Sequence, residues 1–598
     1  MMIDTIRINH DFVVVGGGMS GLCAALAAAR GGACTALVHN RPVLGGNASS
    51  EIRMHICGAD SHGHRPHARE TGILEEILLE NRKRNPQMSY SVFDTILWEK
   101  AAFQENLTLY LNTQMTGATM EGGSLAAIEA MQLTTEKHFR IAGRLFIDAT
   151  GDGTLAALAG ADFMVGRESR DTFDEPHAPR VADRVTMGNT LLFKTMDMGV
   201  PVPFEKPVWA NTYEEADLNG REHGASGFNY WWIELGGEDC DVIADGETLR
   251  DELLKAVYGV WDHIKNGGDH GAENHVLDWI GFLPGKRESR RIVGDYVLRE
   301  NDLGKSRFFE DVVAYGGWPM DMHAPGGLRT RLEPTEYIQV PDVYGIPYRS
   351  LYSKDIPNLM IAGRAISASH MAFGSTRVMG TCAVVGQAAG TAAALAMGKN
   401  CSPRDLLSSI DELQQILMGD DAYLPGIVNR SVAELAGHAV VTASSERLGF
   451  ECGNILDGIA RPVHEKSHCW ISAPLSEGAQ WLDIRFDRPI EAEEVRMRFD
   501  SNLSRQLMLS MFTNGLHGQE KGIPKELVKA YSLLFYLGES LVRVIDTRDN
   551  HLRFRRHALD GTLRFDRLRV EVTETNGDAC ARIFEVDVRQ VGEKRKHG

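Results

Sequence analysis

The sequence predicts an α/β Rossmann-like fold, interrupted by an inserted α+β region and followed by an all-β sandwich. Three observations carry this. Residues 11–15 (DFVVV) are an apolar run that leads into Gly16-Gly17-Gly18-Met19-Ser20-Gly21 and an Ala-rich helical stretch, with a second apolar run at Thr35–Val38. That order reads as strand, glycine turn, helix, strand. Between residues 165 and about 335, Trp, Tyr, Pro and charged residues mix with no simple period. After Gly426 apolar residues alternate, as in Trp481–Phe486, Glu494–Phe499 and Leu568–Val572, which is the period of half-buried antiparallel strands.

Further elements follow the same rules. Residues 68–105 are helical in pattern, Leu107–Leu111 and Arg144–Asp148 read as strands, and residues 357–363 (PNLMIAG) lead by a long loop to a helix that begins near Thr381. The expected segments are 1–165 and 336–400 for the two parts of the dinucleotide domain and 166–335 for a substrate or cap domain. A helical connection at 401–437 and a sandwich at 438–598 complete the chain. Val378–Gly398 is uncharged for 21 residues and contains Gly386-x-x-x-Gly390. It is too weakly apolar for a membrane span, so a buried helix packed on a sheet is expected.

Lys and Arg number 63 against 81 Asp and Glu, a net charge of −18. No broad positive field is available for a nucleic acid, so that partner is excluded. The 9 scattered cysteines suit reduced thiols in a cytoplasmic protein. The first twelve residues have no apolar core or cleavage site, so no export signal is expected.

Gly16-Gly17-Gly18-Met19-Ser20-Gly21 fits G-x-G-x-x-G between a strand and a helix, where backbone N–H groups meet a pyrophosphate at the helix N-terminus. The second strand ends in His39-Asn40 instead of the usual acidic residue, and Pro42-Val43-Leu44-Gly45-Gly46-Asn47-Ala48-Ser49-Ser50 follows. With GGNASSEIRMHICGAD (45–60), FIDATGDGTLAALAGA (146–161), GKRESRRIVGDY (285–296), AYGGWPMDMH (314–323) and NLMIAGRAISASHMAFGSTRVMGTCAVVGQAAG (358–390), the chain resembles a bacterial family of FAD-dependent oxidoreductases. These are two-dinucleotide-fold flavoproteins, often encoded with carbohydrate-degrading enzymes. The resemblance covers about residues 10–400 and implies an FAD-binding domain of the glutathione-reductase/fumarate-reductase-like kind.

The resemblance also implies roles for particular residues. Gly16, Gly18, Ser20 and Gly21 would cradle the pyrophosphate, and Asn40 and Arg41 would meet the AMP half. Gly46 and Asn47 would follow the ribityl chain, Met115 would offer backbone to adenine, and Thr150, Gly151 and Asp152 would close the cavity. Gly363-Arg364 departs from the Gly-acidic pair common in related flavoproteins, and Arg377 to Thr381 would pass the flavin pyrimidine. The resemblance makes FAD the expected cofactor; a second G-x-G-x-x-G for a nicotinamide is not found, and the electron acceptor is left unidentified.

Residues 51–57 alternate in the sequence. Glu51, Arg53, His55 and Cys57 would face the cavity, and Ile52, Met54 and Ile56 the core, if the segment is a strand. His55 is then a candidate base and His370 a second one. Lys286, Arg287, Arg290 and Arg291 either clamp an anionic or polyhydroxylated substrate, or flavin, or pair with Glu288 and Asp295; Arg291 is carried forward as a catalytic candidate. Asp321 and His323 would hydrogen-bond sugar hydroxyls while Trp318 stacks on the ring. Trp231 and Trp232 are wall or core. His62, His64 and His67 share a loop with no carboxylate or cysteine pair at ligand spacing, so no metal is expected.

Asn454 to Gly458, Trp470, Trp481–Phe486 and residues 582–588 (RIFEVDV) resemble a discoidin-type, galactose-binding-like sandwich, a fold that binds glycans or serves only in packing and dimerisation. The first expectation is an FAD-dependent oxidoreductase that oxidises an alcohol of a carbohydrate or glycoside by hydride transfer to flavin N5. Two alternatives are a redox-neutral sugar-modifying or glycoside-cleaving enzyme and a glycan-binding protein with a vestigial FAD site. Oligomeric state and covalent flavin attachment are left open.

Overall fold

The computed structural model describes residues 5–218, 220–225, 230–268, 270–511 and 519–591. The chain divides into two units. One comprises Met1–Ser61, Met88–Ser408 and Met508–His517, the other His62–Gln87, Ser409–Leu507 and Gly518–Gly598.

In the first unit, five parallel strands stand in the order Leu359–Ile361, Leu145–Asp148, Phe12–Val15, Thr35–Val38, Leu107–Tyr110. The first four are buried throughout, which is why they read as unbroken apolar runs rather than alternating ones. Helix Met19–Arg30 follows the glycine turn, and helix Tyr90–Ala102 precedes the edge strand. A four-stranded sheet lies apart from this one, with Thr113–Glu121, Ser124–Gln132 and Lys137–Ala142 as an antiparallel meander and Thr5–Asn9 parallel to its last strand.

Helix Met379–Lys399 is apolar on every face, and 83% of its most apolar window is buried. It packs on strands Val312–Gly316 and Leu145–Asp148, as expected of a helix on a sheet, while its glycines meet another helix. A Cβ on Gly386 would stand 2.1 Å from the Ser20 carbonyl oxygen, and one on Gly390 2.1 Å from that of Ala24. The rising order of these pairs shows that the two helices run parallel.

The inserted region is built from short pairings around helix Gly246–Asn266. Asn189–Thr190 pairs with both Glu234–Leu235 and Gly285–Lys286, and Met320–His323 pairs with Thr335–Ile338. Phe193 stacks on Tyr230 at 3.9 Å, and Trp232 and Trp261 complete the buried cluster. Trp232 is therefore core, with Trp231 packed half-buried against it.

Residues 51–57 do not form the expected strand. The segment is a turn followed by irregular backbone, and Arg53 takes φ 63, which breaks the alternation at that residue. Ile52, Met54, His55 and Cys57 consequently share one cavity wall. Glu51 pairs with Arg41 at 3.4 Å, and the Arg53 guanidinium lies 4.2 Å from the Trp279 ring centre.

The second unit is all-β at its core. Its antiparallel strands run Trp470–Pro474, Cys580–Gln590, Gln480–Phe499, Phe554–Thr575, Val528–Leu537, Ser540–Thr547, with Ala439–Ala443 beside Gln480–Phe499. Bulges between Arg485 and Ile490 and between Ala492 and Glu494 divide that long strand. Its first part meets Ala439–Ala443 and its second part Cys580–Gln590. Residues 62–87, expected in the first domain, group here for an electrostatic reason. Buried Arg69 pairs with Glu75, whose carboxylate also takes the Ser501 hydroxyl, and the Thr71 hydroxyl donates to the Asp421 carbonyl. A buried charge needs its partners close at hand. His67 of this segment meets the Ser504 hydroxyl at 3.0 Å.

Replacing a helical glycine by alanine ordinarily stabilises a helix by about 0.5–1 kcal/mol. Gly398→Ala, with nothing within 4 Å of its Cβ, should follow that rule. Gly386→Ala should instead lose about 1–3 kcal/mol by overpacking, read as a fall in thermal midpoint relative to the Gly398 variant.

Candidate active site

The turn after Phe12–Val15 is shaped by contacts that exclude side chains. Gly16 has φ 109, and its Cβ would lie 2.2 Å from the Ala149 carbonyl oxygen; the Cβ of Gly17 would strike Leu44 and the His39 ring. Gly18 differs, because its Cβ would meet only the Gly46 Cα at 4.0 Å. Gly18 opens onto a cleft lined by the glycine turn, Ser20, Asn40, Gly46, Asn47, Met115, Thr150 to Asp152, Gly363, Arg364 and Arg377. Helix Met19–Arg30 begins there with no side-chain cap, and the buried Ser20 Oγ has no hydrogen-bond partner among the described residues. Unsatisfied donors at a helix start, an orphaned hydroxyl and a missing Cβ suit a pyrophosphate.

The second helix N-terminus on the cleft belongs to Met379–Lys399, again without a side-chain cap. Gly380 N–H donates to the Cys57 carbonyl at 2.8 Å. A family model for FAD-dependent oxidoreductases matches residues 11–417. The chain belongs to this FAD-dependent oxidoreductase family.

No curated protein matches the chain. Among solved structures it is similar to a Streptococcus pneumoniae fucose binding module, SpX-3, at 12% identity over 25% of this chain and 93% of that one, with a TM-score of 0.19. It is also similar to the family 32 CBM from C. perfringens NanJ in complex with galactose, at 14% identity over 26% and 94%, with a TM-score of 0.19. The family 32 carbohydrate-binding module from Streptococcus pneumoniae EndoD shares 18% identity over 25% and 95%, with a TM-score of 0.20. Likeness at this level leaves the architecture of both units to their own strands.

The FAD cleft departs from the sequence expectations at several places. Gly21 serves helix packing, since its Cβ would fall on the Gly16 carbonyl oxygen. Arg41 is tied to Glu51, and Thr381 is buried in the first turn of its helix; none of the three lines the cleft. Arg364 acts as a strut. Its Nε donates to the Gly151 carbonyl at 2.7 Å, its Nη2 meets Asp152 at 2.7 Å, and Lys286 holds the other Asp152 oxygen at 2.7 Å. Burial would raise the Asp152 carboxyl, but the two cations outweigh it and hold it below the usual carboxylate range.

His39 stands where an acidic residue would end the second strand. Gly17 N–H donates to its Nδ1 at 2.9 Å, and its Nε2 faces the Val43 carbonyl at 3.0 Å. The ring is thus a neutral bridge with its proton on Nε2. Burial, opposed by Val43 and reinforced by Arg41, lowers its pKa to about 4.

Beside the cleft lies a chamber lined by Ile52, Met54, His55, Cys57, Thr190, Leu192, Gly285, Lys286 and Arg287. The two cavities share Asn47, Arg364, Arg377 and Met379. Behind the chamber wall runs a chain of buried charges. Arg377 meets Asp321 at 2.8 Å, Asp321 meets His323 at 3.4 Å, His323 meets Glu234 at 2.6 Å, and Glu234 meets Arg287 at 3.2 Å. Burial pushes the Glu234 carboxyl up, but Arg287 and His323 outweigh it and bring it to about 2. Asp321 lies far below its ordinary range, because His323 and Arg377 together overcome its burial.

Of the catalytic candidates, only His55 lines the chamber among the described residues. Asp321 and His323, expected to touch substrate, instead position Arg377 and Arg287, which do line it. His370 and Arg291 are buried around Glu288, His370 Nδ1 at 2.9 Å and Arg291 Nε at 3.6 Å. Arg291 also binds Glu168 and the Gly166 carbonyl, so its role is to hold the fold together. Trp318 packs with Cys57 and Val378 in a small core cluster and does not stack in the chamber. Lys286 and Arg287, expected either to clamp substrate or flavin or to form ion pairs, line the chamber and are also paired, with Asp152 and Glu234. Glu234, isolated in the sequence, had no signal at all; strand pairing with Thr190 brings it in.

Two outcomes follow. Gly18→Val fills the space the pyrophosphate needs, so the purified variant should lose flavin absorbance while keeping its fold by circular dichroism. For His39 the folded pKa near 4 lies below the unfolded value near 6.5. Its stabilisation is therefore complete above pH 6.5 and lost as pH falls from 6.5 to 4, on the order of 3 kcal/mol. FAD release, followed by flavin fluorescence, should rise across that window, and His39→Asn should flatten the profile.

Proposed function

We propose that the protein oxidises an alcohol of a carbohydrate or glycoside to the carbonyl. The observation that supports this reading is the placement of His55 in a chamber that shares four residues with the FAD cleft. Bound in the cleft, FAD supplies the two-electron acceptor for this chemistry. His55 takes the hydroxyl proton at a ring nitrogen as general base. Lys286 and Arg287 hold the substrate oxygens, and the apolar side chains of Ile52, Met54 and Leu192 keep water from the reacting carbon. Glu234 and Asp321 hold Arg287 and Arg377 in place, so both guanidiniums present a fixed face to the substrate.

The same reading takes the first unit as an FAD-binding Rossmann-like domain of the glutathione-reductase/fumarate-reductase-like kind, with residues 166–335 inserted as the substrate cap. The second unit is read as a galactose-binding-like sandwich in a packing role. Trp470 is fully buried, and the Arg569 guanidinium covers Trp481 at 4.4 Å, so neither indole is free to stack on a sugar. The nine cysteines are scattered along the chain without paired spacing, which supports a cytoplasmic location.

The test is an anaerobic visible spectrum with a panel of sugars and glycosides. Bleaching of the flavin bands by a member of the panel is expected. His55→Ala should slow that bleaching by about 10²–10⁴-fold with flavin content unchanged, and an unchanged rate would remove His55 from the role. Bleaching by no sugar would send the substrate class elsewhere.

A further inference from the structure

A second cluster of chemistry-bearing side chains lies in the inserted region, away from both cavities. The Nε2 atoms of His223 and His263 approach Glu215 Oε2 at 3.3 and 3.1 Å, and that of His270 at 3.7 Å. The two Nε2 atoms of His263 and His270 are 3.2 Å apart. All four ligand atoms fall within 4.8 Å of one another. We infer that Glu215, His223, His263 and His270 form a four-coordinate zinc site.

The distances decide the geometry. Zn–N and Zn–O bonds of about 2.0–2.2 Å in a tetrahedron place neighbouring ligand atoms roughly 3.3–3.6 Å apart. Four of the six separations, 3.1, 3.2, 3.3 and 3.7 Å, scatter around that edge length, and the other two stay within 4.8 Å. Two imidazole nitrogens at 3.2 Å share either one proton or one metal ion, so a purely hydrogen-bonded cluster is the competing arrangement. Three imidazoles and one carboxylate suit Zn²⁺, and a full set of four protein ligands reads as a structural site rather than a catalytic one.

The backbone builds the cluster from three places. The Arg221 carbonyl accepts from His223 Nδ1 at 2.6 Å, which fixes the tautomer and leaves the Nε2 lone pair toward the centre. His263 sits in the last turn of helix Gly246–Asn266. Lys265 Nζ then donates to the carbonyls of Ala272, Glu273 and His275 at 2.7–2.9 Å, folding the chain back and bringing His270 to His263. The histidine side chains are mostly buried, at 6%, 6% and 16% exposure, with Glu215 at the rim, 72% exposed. Next to His223, the Glu222 carbonyl accepts from Trp232 Nε1 at 3.0 Å, and the neighbouring Trp231 carbonyl accepts from Arg287 and Thr190, so a metal here would pin the support of the chamber wall.

The experiment is metal analysis of the holoprotein purified without chelator and equilibrated with one equivalent of Zn²⁺. One zinc per chain is expected after gel filtration, falling below a tenth in His223→Ala and in His263→Ala, with FAD content unchanged. Glu215→Gln, at an exposed position, should weaken zinc retention at least tenfold even if a histidine variant fails to fold. Co²⁺ in the metal-depleted wild type should give the strong visible bands of a four-coordinate ion beyond the flavin absorption. Failure to retain zinc, retention undiminished in the Glu215 and histidine variants, or a weak six-coordinate Co²⁺ spectrum would each overturn the site in favour of the hydrogen-bonded cluster.

Discussion

The approach of helix Met379–Lys399 to helix Met19–Arg30 is the constraint on which the active site depends. Only glycine at 386 and 390 lets one backbone rest on the carbonyls of Ser20 and Ala24. Because the helices run parallel, that contact sets both N-termini on the same cleft. Their dipoles then add, one at the pyrophosphate turn and one toward the shared wall with the chamber. A side chain at either glycine would part the helices and, with them, the two ends of the cofactor site.

A second constraint is electrostatic. Arg377 and Arg287 stand on the chamber wall, and each is answered from behind by a buried carboxylate, with His323 joining the two. The alternation of sign lets four charged groups and a histidine sit out of water without any one left unpaired. Arg364, Asp152 and Lys286 repeat the scheme between cleft and chamber. The site is therefore rigid through paired charges as well as through packing.

The elements legible in the sequence were those governed by local chemistry. The βαβ unit showed because buried parallel strands are continuous apolar runs and the turn between them is glycine. The long strands of the second unit showed through period-2 alternation. The 51–57 segment misled because alternation alone does not reveal one left-handed residue, Arg53. His370 looked functional because it stands near a flavin loop and Arg291 because it belongs to a basic cluster, while their burial around Glu288 is a tertiary fact. Glu234 and the Glu215, His223, His263, His270 cluster were invisible for the same reason. Glu234 stands alone in the sequence, and the four cluster residues form two pairs some forty residues apart with no ligand spacing, so only the fold assembles them.

The order of the chain has a cost in time. The strand Leu359–Ile361 that closes one edge of the parallel sheet, and the helix that rests on Ser20, are made more than 330 residues after the glycine turn. At roughly 5–20 residues per second of synthesis, the first βαβ unit waits on the order of a minute for its partner. Until then its small-residue helix and the apolar strands beside it lack their cover. Such long-range closure is slow and open to aggregation, so acquisition of the flavin comes late and reports that both ends of the unit have found each other.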